Sequence, residues 1–280
     1  MPKLFFERFP TSACGSRTSG ILMWQLLIQF IFRLTFGIAL AMGVTPARWV
    51  TSGFYRVHLW ILMGLNTFAS LAIYSQRETL DDDLANVWLV LALAVLLTLL
   101  SYVGAVAWLY EKKDIGQLLL YCITLSGLLA AALATPWQAM TGGTGILLAI
   151  LDLSSSGLLL GVTLSAMFLG HWYLNTPTME LLPLKRLVIL MTLAIGIRTL
   201  VSGTGLLLQA SDLQLVIWIF VTLRWLSGLL AALMLALMTW YTLRVPNTQS
   251  ATGILYAGVI LTFIGELTSQ LLSVDTLYPL

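Results

Sequence analysis

Seven side chains hold most of this chain's capacity for chemistry. Five are ionisable and lie inside long apolar stretches: Arg33, Asp152, Arg198, Arg224 and Glu266. Two are the histidines, His58 in "GFYRVHLWILMGLN" and His171 in "LSAMFLGHWYLNTPTM". A charge near the centre of a bilayer is costly unless it is paired or meets water. Three guanidiniums and two carboxylates therefore invite pairing across helices. Two imidazoles offer axial ligation of iron, hydrogen bonding to a quinone carbonyl, or proton handling near neutral pH.

The elements that must position these groups follow from composition. Of 280 residues, 59% are hydrophobic and 9% are charged, against about 25% charged in a soluble domain. Stretches of about 20 apolar residues cross the hydrocarbon core as helices, which close their own backbone hydrogen bonds. Eight such stretches are predicted, at 21–44, 52–75, 85–110, 116–136, 144–173, 184–203, 214–242 and 250–273. Polar or Pro/Gly material separates them, such as "VTPARW", "QRETLDDD", "EKKD" and "RVPNTQS". The predicted fold is an all-α integral membrane protein, a bundle of about eight transmembrane helices with short loops. Residues 1–20 form a polar N-terminal segment, and 21–280 form a single polytopic domain. The first apolar run is too long for the h-region of a signal peptide and is taken as a true span.

With eight spans, both termini lie on one face. Lys3, Arg8, Arg17 and Arg77 fall on that face, and Arg48, Arg56, Lys112, Lys113, Lys185, Arg186 and Arg244 on the other. The acids Glu78, Asp81, Asp82, Asp83, Asp212 and Asp275 fall on the terminal face. The basic excess orients the loops it occupies toward the cytoplasm, which places both termini outside. The net charge of +2, without a basic cluster, gives no basis for nucleic-acid binding. Cys14 and Cys122 have no metal-type spacing. Walker, zinc-protease and Gly-x-Ser-x-Gly signatures are absent from the sequence.

The span count puts His58 and His171 at similar depth near the basic face. That is the arrangement a bis-histidine haem b requires, with Arg56, Lys185 and Arg186 available to its propionates. Gly53, Gly64, Gly161, Ser165 and Gly170 could make room for it. The same histidines also suit a quinone headgroup, or an interfacial belt with Trp60, Trp172 and Tyr173. Asp152 precedes His171 by 19 residues, about 28 Å along a straight helix. It therefore belongs to the opposite half of the bundle, with Arg198, Arg224 and Glu266, while Arg33 sits mid-span. In "LDLSSSGLL", Ser154, Ser155, Ser156 and Gly157 either interrupt the helix beside Asp152 or let a neighbour approach closely.

These features lead to an expected role as an integral membrane subunit of a respiratory-type electron-transfer complex. It would hold haem b or contact quinone near His58, His171, Arg56 and Arg186, as a non-catalytic or redox-anchor subunit rather than a stand-alone enzyme. Two alternatives stay open. One is a transporter using the buried network of Arg33, Asp152, Arg198, Arg224 and Glu266, and the other is a structural or assembly subunit. The expected surroundings are membrane lipid and other subunits of a complex, in a bacterial cytoplasmic membrane.

Overall fold

Among the described residues, eight helices, 21 to 33 residues long, are long and apolar enough to cross a membrane. The element order is α1 (Ala13–Val44), α2 (Ser52–Ser75), α3 (Arg77–Leu80), α4 (Val87–Leu109), α5 (Lys113–Leu133), α6 (Gly142–Asn175), α7 (Leu182–Gln209), α8 (Leu215–Arg224), α9 (Ala232–Thr242) and α10 (Thr248–Asp275). A π-helical segment, Trp225–Ala231, joins α8 to α9 within one span. α3 is a single turn in a connection. The protein is an all-α, multi-pass membrane protein, and no strand occurs among the described residues. The structure, a computed structural model, describes residues 13–80, 86–135, 142–176, 179–209, 213–245, 247–276 and 279. Expectations for residues 1–12, for Asp81, Asp82, Asp83 and Asp212, and for the side chains of Cys14, Arg17 and Asp275 lie outside them.

Burial separates core helices from lipid-facing ones. In the most apolar stretch of the α1 span, 83% of residues are buried, and in that of α6, 67%. In the span of α8 and α9 the share is 28%. α1 and α6 are therefore the central pair, with α5 against α1, α7 and α10 against α6, and α2 against α4. Glycine sets how closely the central pair meets. A Cβ placed on Gly37 would lie 1.8 Å from the Gly157 carbonyl oxygen and 2.9 Å from Gly161 Cα. The backbones are thus in direct contact, as small-residue interfaces allow where lipid leaves packing to drive helix association. α10 meets the π-helical segment the same way, since a Cβ on Gly265 would lie 2.3 Å from Gly228 Cα.

Polar side chains fasten the remaining helices. Asn66 Nδ2 of α2 donates to Thr35 Oγ1 of α1 at 3.1 Å and to the Leu62 carbonyl at 2.8 Å. Gln29 Nε2 of α1 donates to the Ala134 carbonyl at the end of α5, at 2.7 Å. Asn86 and Asn247 cap α4 and α10, accepting from Leu89 N and Ser250 N, both at 3.0 Å.

Three local expectations change. α1 begins at Ala13, within the stretch to residue 20 expected as a separate polar segment. α7 does not stop at residue 203 but continues to Gln209. Thr204 keeps its Oγ1 on the Leu200 carbonyl at 2.8 Å, and Gly205 leaves room for the Pro279 carbonyl oxygen, 2.0 Å from where a Cβ would lie. α6 runs without interruption through Ser154–Gly157, and Gly157 serves the close approach of α1. The irregular span is the seventh, in which a π-helical turn inserts one extra residue.

Gly161→Leu is expected to lower stability by roughly 1–3 kcal/mol through overpacking, read as a lower unfolding midpoint in detergent. At Gly196 an added Cβ meets no atom of the described residues within 4 Å. Gly196→Ala should therefore stay within about 0.5 kcal/mol of wild type. Equal midpoints for the two variants would remove glycine contact as the basis of the central pair.

Candidate functional site

Five spans each contribute one ionisable residue to a single buried cluster. They are Arg33 from α1, Asp152 from α6, Arg198 from α7, Arg224 from the end of α8 and Glu266 from α10. None is more than 8% exposed. Arg198 is the hub. Its Nη1 donates to Asp152 Oδ1 at 2.5 Å and its Nε to Glu266 Oε1 at 2.9 Å. Nη2 lies 2.9 Å from Glu266 Oε2 and donates to Ser269 Oγ at 3.1 Å. The other oxygen of Asp152, Oδ2, accepts from Arg33 Nη1 at 2.9 Å. Arg224 stands at the margin. Its Nη2 donates to Ser202 Oγ at 2.7 Å, and Glu266 Oε1 lies 3.9 Å away.

Helical spacing explains how these groups share a face. Ser155 follows Asp152 by three residues, and its hydroxyl donates to the Asp152 carbonyl at 3.2 Å. Ser202 follows Arg198 by four, and Ser269 follows Glu266 by three, so each lies one turn along the same face. The backbone contact of Gly228 with Gly265 stands beside both Arg224 and Glu266 in sequence. It holds the end of α8 against α10, where these two side chains approach each other. Low dielectric makes each of these pairings strong and each unpaired charge costly.

The histidines occupy another region. His58 is buried, with its ring centroid 4.3 Å from that of Phe54 and 4.4 Å from that of Phe168. Its Nδ1 lies 2.6 Å from the Phe54 carbonyl oxygen. A carbonyl only accepts, so Nδ1 carries the proton, and in the neutral ring Nε2 keeps a lone pair. His171 is exposed, and its Nδ1 lies 3.3 Å from the Tyr256 hydroxyl of α10. The two rings thus engage different neighbours. The small residues near them are also occupied. A Cβ on Gly53 would meet Trp172 at 3.2 Å, one on Gly170 would meet Thr252 Oγ1 at 2.9 Å, and Gly161 is pressed on Gly37. At Gly64 no atom of the described residues lies within 4 Å of an added Cβ. Arg56 is half-buried. Arg186 lies over the Trp49 ring at 4.9 Å with Arg48 over it at 4.4 Å. Among the described residues, no group of three or more His, Cys, Asp and Glu side chains is placed to hold a metal ion.

Sequence reasoning marks all five charged residues of the cluster but misses Ser202 and the Trp49 platform. Ser202 had a signal, its four-residue spacing from Arg198. Trp49 had none, because Arg186 reaches it from a distant part of the chain. Fold and cluster together define a class, a multi-pass membrane protein of eight spans built around an intramembrane ionic centre. No protein-family model, curated protein or solved structure matches the chain.

Removing one carboxylate tests the coupling. Asp152→Asn leaves Arg33 and one side of Arg198 unpaired, at an expected cost of about 3–5 kcal/mol. Arg33→Met combined with Asp152→Asn removes one charge of each sign and keeps the wild-type balance. The double variant should therefore be more stable than Asp152→Asn alone, as measured by unfolding in lipid bicelles.

Proposed function

We propose that this protein is a membrane carrier that passes a proton or a small ion. Its working centre is the cluster of Arg33, Asp152, Arg198, Arg224 and Glu266. One observation carries this reading: five spans each place an ionisable side chain in one continuous buried network. Intramembrane charges facing a bundle interior mark ion and proton pathways more often than they serve packing alone. The π-helical turn directly after Arg224 adds support. Such turns concentrate at functional sites and let a helix shift register. In this reading the protein sits in a bacterial cytoplasmic membrane; the helical spans support the membrane location alone, and the basic loops on the opposite face support both termini lying outside.

Proteoliposomes loaded with pH-sensitive and chloride-sensitive dyes test this. Wild-type protein should dissipate an imposed gradient. Asp152→Asn and Glu266→Gln, checked for retained helicity, should each slow that flux at least tenfold, roughly 1.4 kcal/mol or more in barrier. Unchanged flux in both variants, or no flux from wild type, would sink the carrier reading.

A second reading is favoured by the His58 geometry. An imidazole whose Nδ1 is held by a backbone carbonyl presents Nε2 ready to accept a hydrogen bond or ligate iron. In this reading the protein is a redox subunit that contacts quinone near His58, with Arg56, Arg186 and His171 on the same face and redox partners supplied by other chains. The quinone form needs one imidazole, whereas haem b needs His58 and His171 on one iron. Quinone extraction and an optical spectrum of the purified protein separate the forms. Bound quinone lost in His58→Ala supports the first, and a Soret band lost in both His58→Ala and His171→Ala supports the second. Neither signal in wild type would remove the reading.

A further inference from the structure

The ionic cluster is not neutral. Among the described buried residues it combines three arginines with two acids, one positive charge in excess. Arginine does not release its proton in proteins, so the excess is permanent. Its location can be assigned. Arg33 and Arg198 each have a carboxylate oxygen within 2.9 Å. Arg224 has one at 3.9 Å, and only Nη2 of its three nitrogens is hydrogen-bonded. Among the described residues, its Nε and Nη1 are buried without a partner. Arg224 is 1% exposed, so water outside the protein does not serve these donors.

A second unpartnered group lies close in sequence to the cluster. Gln270 follows Glu266 by one helical turn on α10 and is 3% exposed. Among the described residues, neither its amide nitrogen nor its amide oxygen has a partner. On α1, Gln25, Gln29 and Arg33 recur at four-residue intervals, and the Nε2 of Gln25 is likewise buried and has no partner among the described residues. From the cluster, Gln270 leads toward the C-terminal end of α10, and Gln29 and Gln25 lead toward the N-terminal end of α1. These two helix ends share one membrane face. Polar atoms therefore extend from the cluster toward the face that bears the termini.

We propose that the Arg224 arm of the cluster binds one small monovalent anion, a halide or a carboxylate, reached from that face past Gln270. One negative charge balances the cluster. A divalent anion would overshoot by one charge, and a cation would add to the excess. The donors are of the right kind, since guanidinium and carboxamide N–H groups form charge-assisted hydrogen bonds to anions. This inference rests on reading the cluster as a working ion centre and names the ion.

The test uses the full chain in uncharged detergent, with the thermal midpoint followed against chloride or formate. Ionic strength is held constant with gluconate. In wild type the midpoint should rise and saturate, as ligand binding to the folded state requires. A response to chloride alone assigns a halide, and a response to formate alone assigns a carboxylate. Arg224→Met and Gln270→Leu should each weaken the apparent affinity roughly tenfold or more, the effect of losing one charge-assisted hydrogen bond. Arg224→Lys should keep the response. A wild-type midpoint indifferent to both anions overturns the proposal, and so does full affinity in Gln270→Leu, even where Arg224→Met fails to fold. Anion binding without flux would leave this site standing and remove the carrier. Proton flux without any anion response would do the reverse.

Discussion

The interior of this bundle depends on one guanidinium held between two carboxylates. Arg198 is fully buried, and Asp152 and Glu266 neutralise it from helices on either side. In hydrocarbon such a charge has no other source of stabilisation. The arrangement therefore dictates which faces of α6, α7 and α10 must meet. Arg33 and Arg224 are added through those same carboxylates, which extends the requirement to α1 and α8. Apolar packing alone would allow many rotations of these helices, because lipid tails solvate leucine as well as a neighbouring helix does. The ionic cluster selects one rotation.

Glycine makes the selected geometry reachable. Arg33 and Asp152 meet because α1 and α6 touch at Gly37, Gly157 and Gly161. Arg224 and Glu266 approach each other because α8 and α10 are held by Gly228 against Gly265. Both backbone contacts lie within a few residues of the charges they serve. At the other end of α6 the devices are different. Trp172 Nε1 donates to Thr51 Oγ1 at 2.9 Å, Tyr55 stacks on Trp108 at 4.0 Å, and Arg48 and Arg186 share Trp49. That end is aromatic and amphipathic, as suits a boundary between lipid and water. α6 carries Asp152 at one level and His171 at the other, and so links two chemically distinct zones.

The spans were legible because hydropathy over about 20 residues is a strong signal, and their ends agree with the helices to within a few residues in most cases. The exceptions are the start of α1 and the end of α7, and α7 shows where the signal fails. Within a bilayer, Gly203 and Gly205 do not end a helix, since no water competes for its carbonyls. The charged members of the cluster were legible for the opposite reason, as each is costly at its depth unless it is paired. Who pairs with whom was not legible, because facing depends on helix rotation and that is settled by contacts far apart in the chain. The π-helical turn after Arg224 also left no mark, since "WLSGLLA" reads as ordinary helix. The "SSSG" run was informative about a site but ambiguous about its form: Ser155 joins the cluster face, accepting from Arg198 Nη1 at 3.4 Å, while Gly157 serves the close approach of α1.

The cluster also imposes an order on synthesis. Arg33 and Asp152 are separated by 119 residues, Asp152 and Arg198 by 46, and Arg198 and Glu266 by 68. Chains elongate at about 5–20 residues per second. The first span therefore exists with an unneutralised arginine for roughly 6–24 s before its counter-ion leaves the ribosome. During that time α1 has no carboxylate of this cluster to meet. It must wait beside the insertion machinery, or at the headgroup level, until α6 arrives. Glu266 comes last, so the nascent bundle holds uncompensated cations until α10 enters the bilayer. The final helix thus closes the charge network of the cluster as well as the bundle.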